Sequence, residues 1–249
     1  MPAPLSLLDL IVRRGIAVKS KRLFFVFSLF CGAAVFDGAS AASLEVSPIS
    51  LEAAAPQQTV TITLRNSGNR PINGQVRVFV WRQEHGEDVL EPTQNVVCSP
   101  PMAEIGPGAE YTIRVVRIVE APIAGEESYR LVVDEIPDAT MRRNGIIAVA
   151  LRYVIPIFFY EETRSQPRLS WFVTNRDGGR FLVAKNEGDR RAKISALSLN
   201  GKPIANGLAG YALGHSERRW KLPGKFDLRD GKVSATVDRE FISVVAKPR

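Results

Sequence analysis

The chain has 249 residues, 45% hydrophobic and 24% charged, enough for one large or two ordinary domains with real cores and too apolar for a disordered polymer. Of its net charge of +7, residues 1–41 supply +3, with Arg13, Arg14, Lys19, Lys21 and Arg22 against two acidic residues, and the much longer remainder carries 28 basic and 24 acidic residues, net +4. That remainder has no Lys/Arg block with interleaved aromatics, which argues against nucleic acid, and its only cysteine, Cys98, rules out an intramolecular disulfide.

The front segment reads as an export signal. Basic residues precede an apolar run from Leu23 to Phe36, and Ala39-Ser40-Ala41 supplies small residues for cleavage near Ala41. The run is short of the about 20 apolar residues that span a bilayer, so stable membrane insertion is not expected.

From Ser43 the pattern is of short strands and turns. Residues 43–53, SLEVSPISLEA, are extended, with Pro48 marking an edge or a strand switch. Residues 58–64 alternate Val60, Ile62 and Leu64 against threonines, as a half-buried antiparallel strand does, and 65–71 form a turn cluster. Residues 74–82, GQVRVFVWR, put Val76, Val78 and Val80 on one face and Phe79 and Trp81 on the other. A strand apolar on both faces is expected to be central, covered partly by its own core and partly by a partner or second domain.

Residues 83–109 are rich in Gly and Pro, with room for one short strand at Val96-Val97, and strands follow at 111–119 and 128–136. The longest candidate is 144–162, NGIIAVALRYVIPIFFYEE, rich in β-branched and aromatic residues, which reads as one long strand, the seventh. At about 3.3 Å per residue it would extend roughly 50 Å, and Pro156 cannot donate to a neighbour on one side. Such a strand, with an unpaired apolar edge, needs a partner. Seven strands with this turn spacing point to an immunoglobulin-type β-sandwich. Residues 161–167, EETRSQP, form a linker, and shorter strands are expected at 169–174, 180–186, 192–199, 218–222, 231–237 and 241–246. Asn200-Gly201 is the sharpest hairpin signal, and no repeat between the halves stands out. The fold class is therefore all-β.

Catalytic constellations are not evident. His85, Glu87 and Asp88 share a loop without a second histidine at ligand spacing, so a solvated hairpin tip is favoured over a metal site. Asp134, Glu135 and Asp138 flank Pro137, but Asp134 and Glu135 point to opposite faces, which favours an ion pair over acid/base work. The mature part has no G-x-S-x-G, and Cys98 has no histidine beside it, so it reads as a half-buried thiol. No enzyme, cofactor or metal is expected.

The ordered series VSPISLE (46–52), TLRNSGNRP (63–71), QVRVFVW (75–81), GEDVLEPT (86–93), SPP (99–101), IGPG (105–108), IRVVR (113–117), YRLVVDEIP (129–137) and LRYVIPIFF (151–159) resembles the periplasmic pilus-assembly chaperones, the PapD-like proteins of the chaperone-usher pathway. The spacing is most similar to the archaic Csu-type subclass, as is LAGYALGHSERRWKLP (208–223). The resemblance implies two immunoglobulin-like β-sandwich domains in a boomerang arrangement, with a signal peptide at 1–41, an N-terminal domain at 42–160, a linker at 161–167 and a smaller C-terminal domain at 168–249. It also implies a periplasmic location, pilus or fimbrial subunits and an outer-membrane usher as partners, and donation of the seventh strand to a subunit that lacks one.

Aligned with that strand, Ile147, Val149, Leu151 and Tyr153 take the donor positions, leaving Ile146, Ala148 and Ala150 as the inner face. Better-known members grip the subunit's C-terminal carboxylate with an arginine and a lysine, where this chain has Ser50 and Pro156. Arg117, Arg130 and Arg152, on neighbouring strands, are the substitutes. For the interdomain ion pairs of the family, Glu135 matches an acidic member, and the basic position falls near Tyr160. A structural pilus or adhesin component with immunoglobulin-like domains is the alternative reading, and self-association of the free chain through the long strand stays open.

Overall fold

The computed structural model describes residues 44–137, 150–162, 165–176, 178–224 and 231–248, and all helical or strand structure within them is strand. The first ten strands are β1 (Leu44–Ser47), β2 (Leu51–Ala54), β3 (Thr59–Asn66), β4 (Ile72–Glu84), β5 (Glu87–Pro92), β6 (Val96–Ser99), β7 (Met102–Ile105), β8 (Glu110–Arg117), β9 (Glu126–Ile136) and β10 (Arg152–Tyr160). They form two facing sheets, one ordered β1-β3-β8-β6 and the other β2-β10-β9-β4-β5, with β7 against β4. Period-two alternation sends Val60, Ile62 and Leu64 of β3, Ile113 and Val115 of β8, Leu131 and Val133 of β9, and Ile155, Ile157 and Phe159 of β10 into one core.

Pro48 does mark a strand switch, because β1 pairs with β3 in one sheet while β2 runs parallel to β10 in the other. Of the expected long strand, β10 accounts for Arg152–Tyr160 among the described residues, and residues 144–149 lie outside them. Three short strands rather than one occupy 83–109, since the acidic β5 and the four-residue β7 are held by pairing with β4 and not by pattern.

The second pair of sheets comprises β11 (Leu169–Arg176), β12 (Gly179–Asn186), β13 (Ala192–Leu199), β14 (Lys202–Ala212), β15 (Glu217–Leu222), β16 (Lys232–Val237), β17 (Glu240–Val245) and β18 (Lys247–Pro248). They are ordered β15-β12-β11-β18 and β14-β13-β16-β17 around a separate core that includes Trp171, Leu182, Ile194, Leu197 and Val233. Strand β14 carries Pro203, Gly207 and Gly210 and is not legible as a strand, but it pairs along β13 across register shifts.

The halves do share a short repeat, contrary to expectation. Asn-x-Gly-x-Arg occurs at 66–70 and at 186–190, each time at the end of a strand. Both asparagines are buried, and their amides bind the same way: Asn66 Nδ2 donates to the carbonyls of Arg70 (2.7 Å) and Ile105 (2.9 Å), Asn186 Nδ2 to those of Arg190 (2.7 Å) and Ala212 (3.0 Å). Their Oδ1 atoms accept from Gly68 and Gly188 amides respectively, at 2.9 and 3.0 Å. Each asparagine thus ties one sandwich end together, satisfying a buried carbonyl, that of Ile105 or Ala212, along with turn groups. Asn66→Ala and Asn186→Ala are each expected to lower stability by about 2 to 4 kcal/mol in urea unfolding, because a buried carbonyl and two turn groups lose their partner at once.

Candidate functional site: the open half of β10 and the junction between the sandwiches

Strand β10 has β9 along one side throughout, with Arg152 opposite Asp134 and Tyr160 opposite Glu126. On its other side β2 covers only Ile157 to Tyr160. Main-chain directions follow from two bonds: Glu135 N–H donates to the Leu151 carbonyl (2.9 Å) on the β9 side, and Ala55 N–H donates to the Tyr160 carbonyl (2.8 Å) on the β2 side. Odd positions therefore bond to β9, and even positions face the opposite edge. Among the described residues nothing pairs with Arg152 or Val154 there. Pro156 sits where its missing N–H takes nothing from the chain's own ladder.

Side chains along this half split by parity. Leu151 and Tyr153 pack against the first core with Ile155, Ile157 and Phe159, and the Tyr153 hydroxyl donates to the Leu44 carbonyl at 2.6 Å. Ala150, Arg152 and Val154 are exposed, Val154 at 46%. Ala150 is thus not on an inner face. The expected donor residues Leu151 and Tyr153 share the core's parity, while Ile147 and Val149, with Ile146 and Ala148, lie outside the described residues.

The three arginines expected near a carboxylate anchor lie in different surroundings. Arg117 is 2% exposed and fully engaged: its guanidinium pairs with Glu127 (2.7 Å) and donates to the carbonyls of Val119 and Ala121. Arg152 is exposed and paired with Asp134, which Arg77 also contacts at 2.5 Å. Asp134 is therefore an ion-pair residue as expected, and the pairing outweighs burial to hold its carboxyl below its ordinary pKa.

Arg130 is different. It lies opposite Pro156 in the ladder, with its guanidinium 3.5 Å above the Trp81 ring and 5.8 Å from that of Tyr211. Among the described residues none accepts a hydrogen bond from it, and burial lowers its pKa from the usual arginine value, Arg218 adding to the effect and Asp88 opposing it. Two further donors in this region, Trp81 Nε1 and Arg218 Nε, are buried without an acceptor. The Arg130 guanidinium is thus short of an acceptor among the described residues, and an anion would supply one.

Around it the two sandwiches are joined by a small third core of Trp81, Phe158, Tyr211 and Leu213, with Trp81 edge-on to Tyr211 at 5.5 Å. Both apolar faces of β4 are thus accounted for, the second by the other sandwich. Gln83 donates to the Tyr211 carbonyl (2.8 Å) and accepts from the Leu213 amide (3.0 Å). The hairpin tip at His85-Gly86 keeps His85, Glu87 and Asp88 exposed, as expected, and its backbone also docks on the second sandwich. Gly86 accepts from the Arg219 amide at 3.1 Å, Glu87 pairs with Arg219 and Asp88 with Arg218. A Cβ at Gly86 would lie 2.7 Å from the Arg219 side chain, so this contact requires glycine.

Beside the aromatic core lies an ion cluster that sequence reasoning did not find. Glu126 accepts from Arg190 Nε (3.2 Å), Arg191 Nη1 (2.5 Å) and the Arg191 amide (3.0 Å), and Glu52 pairs with Arg191 at 2.5 Å. Arg191 covers the Phe158 ring at 3.7 Å, and Arg190 covers Tyr160 at 3.9 Å. Glu135 takes no part in the junction and instead faces the Leu151 amide at 3.4 Å, whereas the basic residue near Tyr160 is Arg190. The Arg190-Arg191 pair closing the second Asn-x-Gly-x-Arg turn was the available signal.

Cys98 donates to the Val76 carbonyl at 3.2 Å, and burial raises its thiol pKa. It is expected to resist a thiol reagent at pH 8 in the native protein and to react on unfolding, as followed by absorbance. Among the described residues no group of three His, Cys, Asp or Glu is placed to hold a metal ion, and no helix is long and apolar enough to cross a membrane.

Residues 43–161 match the family of pili and flagellar-assembly chaperones, PapD N-terminal domain. Residues 43–161 thus belong to a domain of the PapD-like family of pilus-assembly chaperones. Its fold is also that of solved chaperones: the CsuC–CsuE chaperone-tip adhesion subunit pre-assembly complex from archaic Csu pili of Acinetobacter baumannii matches at TM-score 0.70 and 25% identity, over 84% of this chaperone and 100% of that chain. The Salmonella enterica SafB chaperone complex with SafA pilin matches at 0.60 and 16%, over 82% and 96%. The E. coli chaperone DraB matches at 0.59 and 19%, over 82% and 97%. No curated protein matches the sequence of this chaperone.

Proposed function

We propose that this chaperone works in the periplasm, holding pilus subunits by donor-strand complementation and delivering them to an outer-membrane usher. The observation that carries the proposal is the half-open β10: Arg152 and Val154 turn main-chain groups to an edge that β2 leaves uncovered. A subunit lacking its last strand exposes the complementary row of donors and acceptors above an apolar groove, and the open edge masks both. The donated side chains are Ile147, Val149 and Leu151, the positions that align with the family's donor strand, with Leu151 and Tyr153 at the passage from groove to own core. The chain divides into an export signal at 1–41, domains at 42–160 and 168–249, and a linker at 161–167. A structural pilus component is less well supported, since β10 fills the first sandwich itself.

Among the three arginines, Arg130 is the anchor for the subunit's terminal carboxylate. It is the one that lacks an acceptor among the described residues, and its place opposite Pro156 restores positive charge where β10 has none. Co-expression in the periplasm with a pilus subunit encoded nearby is expected to yield a soluble one-to-one complex, and a subunit that degrades or aggregates equally without the chaperone would overturn the assignment. Arg130→Met keeps the stack on Trp81 but removes the charge, and is expected to weaken subunit binding at least about tenfold in a competition assay while leaving the fold intact. Unchanged binding would return the anchor to Arg152 or to main-chain contacts.

A further inference from the structure

Outward-facing sheet edges are sites of association unless they are blunted, and most edges in this chaperone are. Strands β1, β2 and β6 have four residues and β18 has two. Strand β5 carries Glu87, Asp88 and Glu91 and ends at Pro92, β15 carries Arg218, Arg219 and Lys221, and β14 contains Pro203 and register shifts. Strand β17 has none of these devices. It is six residues long, EFISVV, pairs with β16 without a shift, and bears a charge only at Glu240. Phe241 is 72% exposed and Val245 68%.

Its geometry defines what can bind. Asp238 and Arg239 both have positive φ, 48° and 83°, in a two-residue turn closed by the pair Val237 and Glu240. Such a turn makes its closing residues a hydrogen-bonded pair, so Glu240, Ile242 and Val244 bond to β16. Phe241, Ser243 and Val245 then turn their N–H and C=O groups to the edge that no strand among the described residues covers. These same three residues carry the outward side chains, and they read Phe-Ser-Val about a central serine.

We propose that this edge pairs with the same edge of a second copy of the chain, antiparallel about a two-fold axis at Ser243. Phe241 then opposes Val245 of the other copy twice, and the two Ser243 residues oppose each other. Each of the three pairs exchanges two bonds, about six in all. No like charges meet within the ladder, because Lys247 leaves it to pair with Phe172 in the other sheet. An isologous contact of this kind requires a self-complementary patch, and Phe-x-Ser-x-Val meets that requirement. The interface is small, in the class of transient contacts. The edge belongs to a different sandwich from β10, so the dimer leaves the subunit-binding strand free.

The exported protein, studied by sedimentation velocity from about 10 µM to about 1 mM, is expected to shift from monomer to dimer. Ser243→Pro removes an N–H used only at the free edge, and Phe241→Lys with Val245→Lys alters only exposed side chains. Both are expected to weaken association about tenfold or more without changing thermal unfolding. In a Cys98→Ala background, Ser243→Cys is expected to form a disulfide dimer on mild oxidation, whereas Phe241→Cys, placed opposite valine, is not. The proposal is overturned by a wild type that stays monomeric throughout, by association that survives both edge variants, or by equal cross-linking of the two cysteine variants. Loss of pilus-subunit binding in the edge variants, with no wild-type dimer, would assign the edge to that partner instead.

Discussion

Val154→Pro is expected to abolish recovery of a pilus subunit with the chaperone while leaving the chaperone folded. Val154 is on the even parity of β10, so its N–H faces the uncovered edge and not β9. Proline two residues on, at 156, already occupies the same kind of position. The substitution deletes one intermolecular bond and places a ring where the neighbouring strand must approach, together worth about 2 kcal/mol or more, or at least about thirtyfold in affinity. Tyr153→Pro is the informative contrast, since it breaks the bond to β9 and the hydroxyl contact with Leu44, and it should unfold the sandwich rather than spare it. Val149→Arg tests the side chains instead of the ladder, because a guanidinium in an apolar groove costs about 3 kcal/mol or more. Subunit pull-down beside a thermal unfolding curve separates the two effects. If Val154→Pro bound normally, the subunit would have to use another edge.

What could be read from the sequence was what one strand records by itself. The alternation of β3, the two-faced pattern of β4 and the Asn200-Gly201 hairpin before β14 are local, and each is present. Strands β5, β7 and β14 are edges or short insertions whose acidic, proline or glycine residues contradict strand propensity, and only pairing with β4 and β13 holds them. The orientation of β10 was not readable for a related reason. Its run is apolar on both parities, because odd residues enter the first core while Phe158 enters the junction with Trp81, Tyr211 and Leu213. Residues so far apart in the chain leave no periodic signal. Ranking Arg130 above Arg117 likewise needed coordinates: both are strand arginines, yet one is enclosed by Glu127 and the other stacked on Trp81 without an acceptor among the described residues.

Glu126→Ala is expected to produce the largest loss of stability, about 3 to 5 kcal/mol, the range for removing one partner of a buried charge pair. The Glu126 carboxylate is 1% exposed and receives both Arg190 and Arg191, and Arg191 itself is 10% exposed. Without Glu126, Arg191 keeps only the half-exposed Glu52, and its Nε already lacks a partner. The damage falls on the contact between the sandwiches, because Arg191 covers Phe158 and Glu126 begins β9. Chemical denaturation should therefore change from one transition to two, as each sandwich keeps its own core. Replacing Glu126 with Leu together with Arg191 with Met should recover most of the stability, since no buried charge is then left alone. Subunit affinity offers an independent reading. Arg130 is held between Trp81 of the first sandwich and Tyr211 of the second, so a loosened junction should weaken binding in Glu126→Ala even where the protein is fully folded. A loss below about 1 kcal/mol with a single transition would mean that the aromatic core alone sets the junction.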